Sequence, residues 1–350
     1  MKQYSFISDF SNAAVIETFA GAISGMRNIS LPAIGFSASV LERIDVETVA
    51  GPAQSFILKK TVLHTDWLSQ RTNDNVGREA AILREASLFK IWGSIHCPYL
   101  AFAIEDGQIA LLMNDLSGYL FPDQREPVDS KTEETVLNTL ASLHAAFWEL
   151  PALKEIDWLA KPFQYFEAFG PGIHATDSFA PPPDKLSGSM AQGWETVIEL
   201  LPANIASVLL QPAEKIFERW RDLPVTFLHG DAKLANMALM PGGRLSLFDW
   251  AFAGRGPCGI ELGWYIAVNA TRLSRSKDEV ISAYRGLLEA HLQHPVEEDT
   301  WTQMVDLAIV TGARMLLWNK AIAFKAGTER AKNEWYWWIQ KLTTTVAHFR

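Results

Sequence analysis

The sequence predicts an α+β chain in two lobes, a small β-rich amino-terminal lobe over residues 1–115 and a larger, mainly helical lobe over residues 116–350. Three observations carry this expectation. Residues 30–115 show strand-like patterning with one helical stretch in the middle. From residue 133 onward apolar side chains recur at helical spacing. Finally, 350 residues of which 48% are hydrophobic suffice to bury one large core or two smaller ones.

The amino-terminal lobe reads in order. Residues 1–26 hold an apolar stretch that Asp9 and Glu17 interrupt and that no basic segment precedes, so an amphipathic helix is expected there. Residues 39–46 and 55–62 read as strands joined by a turn around Gly51-Pro52. Residues 76–92 read as a helix, with Ala80, Leu83, Leu88 and Ile91 on or near one face. Strands at 99–105 and 108–113 follow, separated by Asp106-Gly107, a two-residue hairpin signal.

In the second lobe, Val136, Leu137, Leu140, Leu143, His144, Phe147 and Trp148 recur at helical spacing. A lone histidine on such an apolar face is more often packed and hydrogen-bonded than catalytic, and His144 is read that way. Residues 149–224 and 277–350 are expected to be mainly helical, with a helix over 301–326 bearing Asp306, Arg314 and Lys320. Pro181-Pro182-Pro183 marks a loop within this lobe, and Trp335, Tyr336, Trp337 and Trp338 read as core aromatics.

The most informative stretch is 225–249, VTFLHGDAKLANMALMPGGRLSLFD, which orders His229, Asp231, Asn236 and Asp249 around two short apolar strands. Asp231 falls on a loop after the strand 225–228, where its carboxylate is suited to accept a proton from an attacking hydroxyl. Asn236 lies further along that loop, and Asp249 ends the strand 245–248 after a Pro241-Gly242-Gly243 turn. A carboxylate and an amide oxygen brought together can hold Mg²⁺ against triphosphate oxygens, because this hard cation prefers oxygen ligands and keeps some of its water. No G-x-x-x-x-G-K-[ST] is present, which excludes a P-loop enzyme.

HGDAKLAN followed by LFDWAFAGRGP resembles the catalytic loop and metal-binding segment of the aminoglycoside phosphotransferase and choline kinase group, distant relatives of the protein kinases. The resemblance implies a bilobal protein-kinase-like fold and transfer of a γ-phosphoryl group from ATP, GTP not being excluded, to a hydroxyl of a small molecule with Mg²⁺. It assigns Asp231 as base or orienter and Asn236 and Asp249 as metal ligands. It also assigns Lys59 to the α- and β-phosphates and Glu79 as the partner that positions it, while Lys60 points to the opposite face of its strand. Lys233, at D-x-K-x-x-N spacing, is either a stabiliser of the transferring group or a solvent-facing lysine.

The phosphate-covering segment 34–40 has one glycine, and Ser37 and Ser39 either meet phosphate oxygens or belong to an ordinary turn. Residues 113–116 are the expected hinge, with the backbone of Met113 reading the adenine edge. His229 is expected to orient the loop, and Glu261 stands where relatives carry an aspartate as an anchor beneath it. No long activation segment or A-P-E element is present, which favours a small-molecule acceptor over a protein. The rival reading is a nucleotide-binding pseudokinase with a regulatory or binding role, against which the intact Asp231, Asn236 and Asp249 argue.

Composition narrows the partners. A net charge of −9 without a Lys/Arg cluster argues against a nucleic-acid surface, and this acidity would suit a cationic acceptor. Cys97 and Cys258 lie far apart and outside C-x-x-C spacing, so neither a disulfide framework nor a zinc site is indicated and a cytoplasmic location is expected. No uninterrupted apolar run reaches membrane-spanning length, and no membrane association is expected.

Overall fold

The alternating patterns of the first lobe build one six-stranded sheet. Its strands are β1 (Lys2–Tyr4), β2 (Ile23–Ser30), β3 (Val40–Thr48), β4 (Gln54–Val62), β5 (Tyr99–Glu105) and β6 (Gln108–Asn114). They lie in the order β1-β5-β6-β4-β3-β2, all antiparallel except β1, which runs parallel to β5. The β5–β6 hairpin turns on Asp106 and Gly107 at φ 47° and 73°, the positive pair that its sequence anticipates. The computed structural model describes residues 1–32, 37–122, 125–171 and 184–349, so residues 34–36 and Pro181-Pro182-Pro183 lie outside the described residues.

Two expectations for this lobe are corrected. Residues 1–26 do not form one helix but divide into β1, a 3₁₀ turn Ile7–Ser11, a helix Ala13–Ala20 and the start of β2. Asn12 caps that helix by accepting the Ala14 N–H, while the residues before it extend the sheet edge beside β5. Residues 76–92 likewise split into short helices Arg78–Ala81 and Ile91–Ser94 with a 3₁₀ turn, Ala86–Leu88, between them. Glu85 is extended, and its carboxylate accepts the Ser87 N–H at 3.2 Å and hydroxyl at 2.6 Å. This local capping competes with a continuous helix.

The second lobe is helical, as expected, and carries two small two-stranded sheets. β7 (Thr226–Leu228) pairs with β10 (Gly254–Gly256), and β8 (Met237–Leu239) pairs with β9 (Leu245–Leu247), all antiparallel. The helix Glu298–Lys325 is long and apolar enough to cross a membrane by composition alone. It instead packs among the helices Asp184–Leu200, Gly259–Val268 and Glu329–Ala347, with 67% of its most apolar window buried, so it is a core helix.

Helix Gly259–Val268 approaches this core helix closely because two of its positions lack a side chain. A Cβ at Gly263 would collide with the Ala308 carbonyl oxygen, and one at Gly259 would collide with that of Met304. Both obstacles are backbone atoms, so repacking a side chain cannot relieve them. We predict that Gly263→Ala pushes the two helices apart at a cost of about 2 kcal/mol, in the range for overpacking a filled interior. Thermal unfolding would register this as a lowered midpoint, and an unchanged midpoint would contradict the close-packing argument.

Candidate active site

The chain leaves β7, turns, and enters the loop 229–236. Gly230 makes the turn at φ 82°, where a Cβ would also strike the Phe252 carbonyl oxygen. The buried carboxylate of Glu261 receives the two N–H groups exposed by this turn, from His229 at 2.9 Å and from Gly230 at 2.6 Å. Glu261 thus holds the loop from beneath, one carboxylate spanning two backbone donors. His144 Nε2 meets the same carboxylate at 2.9 Å and its Nδ1 meets the Tyr284 hydroxyl at 2.6 Å, which makes it the packed residue that its helical position implied. His229 Nδ1 accepts the Asp231 N–H at 3.2 Å, so Nε2 carries the proton that is donated to the Phe248 carbonyl at 3.0 Å.

Both oxygens of the Asp231 carboxylate are held. Lys233 Nζ and Asn236 Nδ2 donate to Oδ2 at 2.6 and 2.9 Å, and the Trp264 indole N–H donates to Oδ1 at 2.8 Å. Trp264 was not singled out from the sequence. The signal was its position three residues after Glu261, which places both side chains on one side of a helix. Asn269, just past the helix end, donates to the Ala232 carbonyl and accepts the Leu234 N–H at 3.0 Å. One helix thus fixes the loop through Glu261, Trp264 and Asn269.

The two lobes meet at a second cluster. Lys59 on β4 donates to Glu79 at 2.6 Å and to Asp249 at 2.6 Å. Glu79 also accepts the Tyr99 hydroxyl at 2.7 Å, and the Asp249 N–H reaches Glu79 and Tyr99 at 3.1 and 3.2 Å. Tyr99 is a second participant absent from the sequence reading. Lys60 points away and pairs with Glu42, as strand alternation requires. Asp249 is held in the left-handed region at φ 64°, ψ 59°, a conformation that costs a non-glycine residue about 1 kcal/mol and that its N–H partners retain. Burial opposes the charge on Lys59, but the Asp249 and Glu79 carboxylates outweigh it and hold the ammonium well above the ordinary lysine range. Burial opposes ionisation of Asp249 too, yet Lys59 and Lys233 draw its pKa down to about 2.

Ser37, Ser39, Lys59, Met113, Asp231, Lys233, Asn236 and Asp249 line one cavity of about 1200 Å³, which is larger than a typical single-ligand pocket. Glu79 reaches it beneath Lys59. The hydroxyls of Ser37 and Ser39 are engaged within the protein, Ser37 with the buried Asp66 at 3.1 Å and Ser39 with Thr61 at 2.7 Å. Met113 lies inside the sheet, paired with Ile57 on one side and Tyr99 on the other. Among the described residues no group of three His, Cys, Asp or Glu side chains forms a metal cage. The Asp249 carboxylate and the Asn236 side chain, whose amide nitrogen is committed to Asp231, both line this cavity, and a carboxylate with an amide oxygen is the kind of donor set that could hold a hard divalent cation.

Burial opposes the Glu261 charge, but the hydrogen bond with His144, electrostatic interaction with the two histidines and the His229 backbone N–H outweigh this and hold its pKa below the ordinary glutamate value. The sign follows from linkage: its contribution to stability is full above the unfolded value near 4.5 and is lost as pH falls through the lower folded value. We predict that Glu261→Gln, which sets an amide donor against the His229 and Gly230 donors, costs about 3 kcal/mol. Denaturant unfolding from pH 7 to pH 3 should show a smaller loss of stability for the variant than for the parent chain. Parallel curves would contradict the assigned role.

The model of the phosphotransferase enzyme family (APH) matches residues 33–301. Among solved structures, an ethanolamine kinase from Plasmodium vivax superposes with a TM-score of 0.52 at 12% identity, covering 95% of this chain and 84% of that one. A spectinomycin phosphotransferase in complex with ADP and spectinomycin gives 0.50 at 11% identity, covering 95% of each chain. No curated protein matches by sequence. With this family match over most of its length and a kinase-like α+β architecture in two parts, the chain belongs to the phosphotransferase enzyme family.

Proposed function

We propose that this protein transfers the γ-phosphoryl group of ATP to a hydroxyl of a small molecule in a Mg²⁺-dependent reaction. The observation that carries the reading is that the Asp231 carboxylate, fixed on both oxygens, opens onto the same cavity as the Lys59–Asp249 pair. Asp231 orients the acceptor hydroxyl and takes its proton as the oxygen attacks. Lys233, bonded to Asp231 and only 34% exposed in its side chain, supplies positive charge where the transferring group develops negative charge, in preference to the solvent-facing alternative.

Asp249 and Asn236 are the residues we assign to Mg²⁺, which when bound neutralises triphosphate charge. Side-chain exposure separates the two acids around Lys59: Asp249 is 33% exposed and Glu79 is 2% exposed. Asp249 thus faces the ligand, while Glu79 acts as the buried partner that aims Lys59 at phosphate oxygens. The pairing of Met113 within the sheet moves base recognition one step along the hinge. We assign the adenine edge to the groups beyond Met113, including the Leu116 N–H, which has no hydrogen-bond acceptor among the described residues. Ser37 and Ser39 are assigned to ordering their loop through Asp66 and Thr61. The ADP in the spectinomycin phosphotransferase structure agrees with an adenine nucleotide, and the free Cys97 and Cys258 agree with the cytosol as the site of action.

Asp231→Ala is expected to lower kcat by about 10³-fold, the middle of the range for a positioned acid or base. Calorimetry should find Mg-ADP affinity little changed in this variant, and retained transfer would refute the mechanism. Trp264→Phe keeps the ring but deletes the indole donor, so steady-state kinetics should show kcat reduced about tenfold with the nucleotide KM unaltered. An unchanged kcat would remove Trp264 from the set of positioning residues.

A further inference from the structure

Phe169, Leu186, Phe252, Trp264, Met315 and Leu316 form an apolar part of the cavity lining. Its aromatic rings are stacked on one another. Trp264 lies 5.9 Å from Phe169 at 9°, Phe169 lies 6.4 Å from Phe252 at 21°, and Phe252 lies 6.0 Å from Tyr165 at 20°. At these centroid distances the nearly parallel rings are offset from one another and form a continuous apolar surface along the wall.

The charged part of the lining argues against a cation. Lys320, Arg330 and Glu334 line the same cavity. Glu334 is already shared by Lys320 at 3.3 Å and by Lys277, so two ammonium groups surround one carboxylate. Arg330 donates to the Thr271 carbonyl at 3.0 Å. Asp231 is paired with Lys233, and Asp115 belongs to the hinge, where it accepts from Ser55 and Ser117. A cationic acceptor would lose its hydration beside Lys320 and Arg330 without an uncommitted carboxylate among the described residues to replace it.

Resting on the phosphotransfer reading above, we infer that the acceptor is an uncharged, hydroxyl-bearing molecule with extended apolar surface, and not the cationic amine that the net charge of −9 suggests.

Two probes sharing a ring and a hydroxyl separate these cases: 2-(2-naphthyl)ethanol and a naphthyl-substituted choline that adds a quaternary ammonium. Titration of each into the full chain saturated with Mg-ADP should give at least tenfold tighter binding of the neutral alcohol. Ala323 lines the same cavity, and Ala323→Glu, which adds a carboxylate to its wall, should weaken the neutral probe and strengthen the charged one. Equal or tighter binding of the choline derivative, no binding of the alcohol, or a ratio unmoved by Ala323→Glu would overturn the inference. Incubation with γ-labelled Mg-ATP then tests the underlying reading separately. Binding of the alcohol without labelled product leaves the acceptor class standing and contradicts phosphotransfer, whereas labelling of the choline derivative alone supports phosphotransfer and overturns the neutral acceptor.

Discussion

Helix Gly259–Val268 and the residue that follows it present three polar side chains to a single loop, and the chemistry of the site depends on that grip. Glu261 takes the N–H groups of His229 and Gly230, Trp264 takes one oxygen of Asp231, and Asn269 spans Ala232 and Leu234. A loop carrying a catalytic carboxylate has few backbone partners of its own, so its geometry must come from outside. The helix can supply it because Gly259 and Gly263 let it sit against the backbone of the core helix. Packing at one face of the helix therefore sets hydrogen bonds at the other, and a preorganised carboxylate is the result.

The second constraint is charge balance across the inner edges of the lobes. Lys59 comes from the sheet, Asp249 from the end of the β8–β9 hairpin, and Glu79 from a short helix between them. Two carboxylates on one buried ammonium leave a local excess of negative charge, and Lys233 stands near enough to Asp249 to lower its pKa further. The combination is suited to receiving a divalent cation together with a polyanion: the acid exposed to the cavity can turn to the metal while the lysine remains aimed by Glu79.

How much of this was legible in the sequence depends on whether a contact is local. Asp231, Lys233, Asn236 and Asp249 share one stretch of chain, and strand alternation distinguished Lys59 from Lys60, so these residues could be named from spacing and resemblance. The hairpin at Asp106-Gly107 was legible because its turn demands a specific backbone conformation. Tyr99, Asp66 and Trp264 were not, since each acts on residues 20 or more positions away through packing that no short pattern encodes. Residues 76–92 were misread as one helix because their apolar spacing was genuine while Glu85 capped Ser87 and broke the backbone between them. Net charge does not describe the acceptor wall, because it sums over the whole chain and the cavity samples only a few of those residues.

The central claim is that Asp249 and Asn236 jointly hold a divalent ion beside the nucleotide while Asp231 faces the acceptor. Anomalous diffraction from crystals grown with Mn²⁺ and a non-hydrolysable ATP analogue tests it most directly. The account predicts one strong manganese peak within bonding distance of an Asp249 carboxylate oxygen and Asn236 Oδ1, with the triphosphate extending toward Lys59. A nucleotide bound with its phosphates away from Asp249, or manganese bound at another set of ligands, would contradict it.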